Sequence, residues 1–95
     1  MKSFKDLVFT KLDEPYNGKQ AKMQFDNGFG ISVVSHNWSY GGPQGMYEIA
    51  VLDSDDCITY DTPITNDVIG WLSKRDVSRV MKDIQKLRLL TNHKQ

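Results

Sequence analysis

Two histidines, one cysteine and a run of aspartates are the residues of this 95-residue chain from which metal or nucleophilic chemistry could be built, and their spacing builds neither. His36 and His93 form no His-x-x-x-His or Glu-x-x-His pair, so a metal site would have to recruit carboxylates from distant strands. His36 reads as a surface loop residue. Asp53-Ser54-Asp55-Asp56 lacks the glycine, the spacing and the terminal Glu of an EF-hand loop, and reads as a hairpin tip. Cys57 has no basic neighbour in sequence to lower its pKa and is expected to be a small, partly buried side chain at the start of a strand. Gly41-Gly42 has neither a following helix nor a basic neighbour, which argues against a phosphate loop. No nucleophile elbow or other local motif gathers Ser, His and Asp into a triad. The expectation is therefore no catalytic residue, no metal and no cofactor.

Binding chemistry has a better candidate. The connection Ser35-His36-Asn37-Trp38-Ser39-Tyr40-Gly41-Gly42-Pro43-Gln44 is longer than the usual hairpin loop and carries two large, rigid side chains, each with a polar atom. Trp38 and Tyr40 suit two roles: anchors that project toward a partner, or caps folded back over the end of the core. The candidate binding set is Trp38, Tyr40, Gly41 and Gly42, with Asp61 and Trp71 expected nearby.

Strands must position that loop. In residues 21–34 a two-residue Asn27-Gly28 turn would divide the apolar side chains between two faces. A three-residue turn, Asp26-Asn27-Gly28 with Gly28 left-handed, pairs Phe25 with Phe29, Met23 with Ile31 and Ala21 with Val33, so that all six share one face. A second hairpin is expected over 45–60: with Asp53–Asp56 as a four-residue loop, Leu52 faces Cys57, Val51 faces Ile58 and Ile49 faces Tyr60. The first dozen residues are ambiguous, because Ser3 with Asp6 imitates a capping box while Leu7-Val8-Phe9-Thr10 has strand character. A short strand within 7–12 is favoured, then a turn-rich connection from Asp13 to Gln20.

Helices come last. Thr65 is a candidate N-cap for a short helix over 66–72, and Ser73 with Asp76 marks a clearer start for a second helix at Lys74. Val77, Val80, Met81, Ile84 and Leu87 recur at helical spacing and predict one apolar stripe. The tail after about Leu90 is expected to fray. The fold class is α+β, a four- or five-stranded antiparallel meander with a short and a longer C-terminal helix on one face, in a single domain spanning residues 1–95.

The formal net charge is zero, but residues 1–73 hold five Lys and no Arg against ten acids, while residues 74–95 hold seven Lys or Arg against two acids. The acidic body would oppose the approach of a polyanion, which makes nucleic acid an unfavoured partner, and the basic helix face is expected to be solvated or paired to that body. A single cysteine excludes an intrachain disulfide. The N-terminal residues lack a signal-peptide core, and no apolar stretch approaches the roughly 20 residues that span a bilayer, so no membrane partner and a cytoplasmic location are expected.

Three stretches carry a resemblance. They are Phe25-Asp26-Asn27-Gly28-Phe29-Gly30-Ile31-Ser32-Val33-Val34, then Tyr40-Gly41-Gly42 with Gly45-Met46-Tyr47-Glu48-Ile49-Ala50-Val51-Leu52, then Tyr60 to Leu72 with Pro63, Gly70 and Trp71. Through them the chain resembles a group of small, largely uncharacterised proteins encoded by tailed bacteriophages. The resemblance implies a setting, the cytoplasm of an infected bacterium, and transfers no site residue. Because small phage accessory proteins commonly bind a host component, it favours a non-enzymatic protein that modulates a bacterial host protein by direct contact. The alternative is a binder that sequesters a small ligand or nucleotide without turnover. A homo-oligomer is compatible with either reading.

Overall fold

The Asp26-Asn27-Gly28 turn closes the first long hairpin in the register that the apolar pattern requires. The structure, a computed structural model describing residues 1–65 and 67–88, has Phe25 N–H donating to Phe29 O at 2.8 Å and Gly28 N–H donating to Phe25 O at 3.3 Å. Gly28 lies at φ 88°, where an L side chain is disfavoured. Strand β2 (Gly18–Gln24) then pairs with β3 (Gly30–Ser35), placing Met23 opposite Ile31 and Ala21 opposite Val33. The turn also acts at a distance. Asn27 Nδ2 donates to Ile84 O at 2.8 Å and Leu87 O at 3.0 Å, tying the turn to carbonyls in and just beyond the last turn of helix α1 (Lys74–Gln85).

Strand β4 (Tyr47–Leu52) continues the ladder with Ile31 facing Val51 and Val33 facing Ile49. With β1 (Thr10–Leu12) and β5 (Ile69–Leu72) at the edges, the sheet runs β1-β2-β3-β4-β5, every neighbour antiparallel. This is the α+β meander that the alternation predicts. Its apolar face meets the α1 stripe, so Ile31, Val33, Ile49 and Val51 are buried together with Val77, Met81 and Ile84. Ser73 Oγ accepts Asp76 N–H at 3.1 Å and Asp76 Oδ2 accepts Ser73 N–H at 3.1 Å, completing the capping box.

The N-terminal segment uses both of the properties read in it. Phe4–Asp6 makes one 3-10 turn, with Ser3 N–H donating to Asp6 Oδ2 at 2.8 Å, and β1 follows at Thr10. Phe4 N–H donates to Ser78 Oγ at 3.0 Å, while the Phe4 ring meets Tyr47 edge-on at 5.1 Å and lies 5.6 Å from Phe9. Leu7 is buried, so this segment closes the core beside α1. The connection expected over Asp13–Gln20 is shorter, because β2 already begins at Gly18.

Three local expectations are corrected. The 53–57 turn has three central residues, like the first: Asp53 N–H donates to Cys57 O at 2.8 Å, and Asp56 takes the left-handed position at φ 63°. Leu52 therefore faces Ile58, not Cys57, and Cys57 is exposed. Asp53 Oδ1 accepts Asp55 N–H at 2.9 Å, and Gln24 Nε2 donates to Asp56 Oδ1 at 2.7 Å, so the carboxylates hold this turn in place of a glycine. The short helix expected over 66–72 is instead β5. Thr65 Oγ1 accepts Asp67 N–H at 3.0 Å in a local turn, and the unpaired stretch of β4 recruits Ile69–Leu72 as a strand. Tertiary pairing overrides a weak cap ahead of Gly70. The expected fraying tail and His93 lie outside the described residues.

Among the described residues no helix is long and apolar enough to cross a membrane. Truncating Ile84 to Ala should cost roughly 2–4 kcal/mol in a denaturant titration, because its side chain is fully buried between helix and sheet. The hydrogen bonds from Ser73, backbone first and then hydroxyl, hold the Asp76 carboxyl below its ordinary value. Its lowered pKa adds stability that is present above the ordinary aspartate range and is lost as pH falls through the folded-state value. The Asp76→Asn variant should accordingly show a shallower loss of stability on acidification, read as melting temperature against pH.

Candidate functional site

The loop after β3 is built on short hydrogen-bonded turns rather than on a core of its own. Ser39 is buried; its Oγ accepts His36 N–H at 2.9 Å and donates to His36 O at 3.1 Å. Met46 N–H donates to Gly41 O at 2.9 Å, and Gly42–Gln44 forms a 3-10 turn. Two further contacts fasten the loop to its neighbours: Asn37 N–H reaches Tyr16 O at 2.9 Å, and Asn37 Nδ2 reaches Pro15 O at 2.9 Å. Gly42 packs where a Cβ would collide with His36 O and Ser39 Oγ. The two glycines thus serve close packing.

From this base the aromatics project. Trp38 is 63% and Tyr40 61% exposed, so neither caps the core. Trp38 stands edge-on to Tyr16 at 5.1 Å, and His36 lies 5.2 Å from the same Tyr16 ring, with His36 Nδ1 accepting Trp38 N–H at 3.1 Å. Tyr16 is 47% exposed and was not singled out in the sequence, where an aromatic inside the Pro15–Gly18 turn was the available signal.

Trp71 joins this end of the sheet through an irregularity in β5. Tyr47 faces Leu72 and Ile49 faces Ile69, so Glu48 alone opposes both Gly70 and Trp71. Trp71 is the bulged residue, at φ 59°, a conformation that costs a non-glycine residue roughly 1–2 kcal/mol. The extra residue keeps Leu72 and Ile69 packed against the core and leaves Trp71 56% exposed. Tyr40 crosses this point: Trp71 N–H donates to Tyr40 O at 3.1 Å, and Tyr40 N–H donates to Glu48 Oε1 at 2.8 Å. Gly70 admits the Tyr40 side chain, whose Cβ lies where a Cβ on residue 70 would have to be. Gly41, left-handed at φ 88°, lies against the indole: a Cβ added there would sit 3.2 Å from Trp71 Cε3. Glu48 carried no signal in the sequence, since an outward polar residue is what a half-buried strand requires.

The structure therefore gathers Tyr40, Gly41, Glu48 and Trp71, and sets Trp38 with Tyr16 and His36 in the adjoining part of the loop. Asp61 takes no part in these contacts. Leu52 faces Ile58 whereas Ile49, three residues back, faces Ile69, eleven residues on, so eight residues beyond the ladder's need leave the sheet between them. Asp61 lies exposed in that excursion, its N–H bonded to Thr59 Oγ1 at 3.3 Å, while Ile64 ties the excursion to the core.

Other parts of the surface bring no candidate residues together. A groove of about 440 Å³ at the opposite end of the sheet is walled by Met1, Lys2, Phe25, Asn27 and Gln85. No group of three or more His, Cys, Asp or Glu poised for a metal ion occurs among the described residues. The helix residues Arg75, Arg79, Lys82 and Lys86 are exposed, and the Arg79–Asp76 contact at 3.4 Å is the only ion pair among the described residues. The basic face is solvated, not neutralised by the acidic body.

Comparison of the chain with protein-family models, curated proteins and solved structures finds no match. The strained Trp71 provides a direct test of what that residue contributes. Replacing it by Gly should leave stability unchanged or raise it by up to about 1 kcal/mol, since glycine relieves the left-handed backbone and little buried surface is lost. A β-branched Val at the same position should lower stability by more than about 1 kcal/mol. A loss above about 2 kcal/mol in the glycine variant, measured by urea denaturation, would make Trp71 a packing residue.

Proposed function

We propose that this protein is a non-enzymatic binding module, a phage accessory protein that modulates a bacterial host protein by docking it on the aromatic end of the sheet. One observation carries the reading: Trp38, Tyr40, Trp71 and Tyr16 are each about half exposed or more, on backbone held by hydrogen bonds at both flanks. Aromatic side chains on a rigid frame offer large contact area at small entropic cost, which is the physical basis of binding hot spots. The left-handed backbone of Trp71 and the close approach of Tyr40 to Gly70 serve no core contact.

The same exposure disfavours a sequestered small ligand. A small-molecule site encloses most of its ligand's surface, whereas these rings stand open to solvent. The imidazole of His36 accepts a backbone N–H and Ser39 Oγ is engaged by the backbone of His36, so the loop pairs no hydroxyl nucleophile with a base. The resemblance to phage proteins supports the bacterial cytoplasm as the setting.

Affinity capture from bacterial lysate, with the wild type beside a Trp38→Ala, Tyr40→Ala double variant, tests the proposal. The double variant should melt within a few degrees of the wild type yet bind the captured protein at least about 2 kcal/mol more weakly. A fall in melting temperature of 10 °C or more, about what losing a buried aromatic costs a domain of this size, would return both residues to the core. Unchanged binding with unchanged melting would remove the loop from the site.

A further inference from the structure

We propose that Tyr40, Glu48 and Trp71 form a receptor for an arginine side chain presented by the partner, an assignment that rests on the binding reading above and adds the chemistry of what is bound. The bulge brings the three together. Glu48 stands alone opposite Gly70 and Trp71, its Oε1 accepts Tyr40 N–H at 2.8 Å, and Tyr40 O accepts Trp71 N–H at 3.1 Å. The Tyr40 side chain passes over Gly70 while the indole of Trp71 lies along Gly41, so two exposed aromatic residues meet the strand position of one carboxylate at the bulge.

That carboxylate is half-buried and has no counter-ion among the described residues. No Lys, Arg or His lies within ion-pair distance of Glu48 among the described residues, and the sequence holds no basic residue from Ile49 to Ser73. A half-buried carboxylate at a bulge shared with two exposed aromatic residues matches the guanidinium group in each respect. Guanidinium stacks on aromatic faces, sheds water more readily than ammonium, and donates several hydrogen bonds in one plane to a carboxylate. With Oε1 already fixing the loop, Oε2 is the oxygen to which no described residue donates. The surrounding charge has the same sense: ten acids against five Lys over residues 1–73 draw in a basic segment. Trp71 gains from its strained backbone the placement beside Glu48 that regular alternation would deny it.

The test is an NMR titration of the isotopically labelled protein with a capped glycine peptide bearing two arginines, beside its two-lysine and two-glutamate counterparts. The arginine peptide should produce its largest amide shifts at Tyr40, Glu48 and Trp71, and the lysine peptide should bind more weakly. Glu48→Gln keeps an acceptor for Tyr40 N–H and should weaken the arginine peptide about tenfold. Asp83→Asn, the loss of an equal charge on the exposed helix face, should leave affinity unchanged. Largest shifts elsewhere in the wild type, equal binding of the lysine or glutamate peptide, or unaltered affinity in Glu48→Gln each overturn the arginine site. A host protein captured by the wild type, lost by the Trp38/Tyr40 double variant and retained by Glu48→Gln would overturn this site while leaving the binding reading in place. Arginine binding at Tyr40, Glu48 and Trp71 with no captured protein would support the site and remove the reading.

Discussion

The register of the β2–β3–β4 ladder is the constraint on which the rest of this structure depends. Side chains alternate with period two, so a slip of one residue would carry Met23, Ile31, Val33 and Val51 to the solvent face and leave the α1 stripe without a surface to cover. The three-residue turn at Asp26–Gly28 prevents that slip through a left-handed residue that only glycine adopts without strain. Asn27 of the same turn then bonds the C-terminal carbonyls of α1, so one turn aligns two strands and locates the helix laid over them.

Left-handed residues recur where the sheet changes course, and their neighbours differ in what offsets the strain. Gly28 carries almost none. Asp56 repeats the same turn without glycine and is compensated locally, by Asp53 Oδ1 accepting backbone N–H groups and by Gln24 reaching across from β2. Trp71 has less visible compensation, since its side chain is mostly exposed and its backbone bond to Tyr40 serves the loop. Strain held at an exposed aromatic, on the end of the sheet where three other aromatics project, is what supports a role in recognition.

The two ends of the sheet divide the work accordingly. At the hairpin end, Asn27 and the N-terminal residues close the fold against the helix terminus. At the other end Tyr47, Phe4 and Phe9 close the core from within, which leaves Trp38 and Tyr40 outside it. The backbone of residues 36–46 bonds within its own turns and to Tyr16, Glu48 and Trp71, and Asn37 Nδ2 adds a side-chain bond to Pro15 O, so the loop keeps its shape without burying its aromatics.

Much of the fold was legible because it is set by local rules. Alternation dictated the first hairpin and its register, the 3.6-residue spacing dictated the α1 stripe, and the Ser73–Asp76 cap dictated where that helix starts. Composition and spacing likewise separated Trp38 and Tyr40 from the rest, although not whether they face the core or the solvent. Tertiary structure decided the remainder, since it turned on partners distant in sequence. Residues 69–72 became a strand because β4 had an unpaired edge, and Asp56 could replace glycine because Gln24 lies beside it. Glu48 entered the site because one extra residue in β5 placed Trp71 opposite it. None of these is encoded in a window of neighbouring residues: each follows from a ladder register that exists only once the strands have paired.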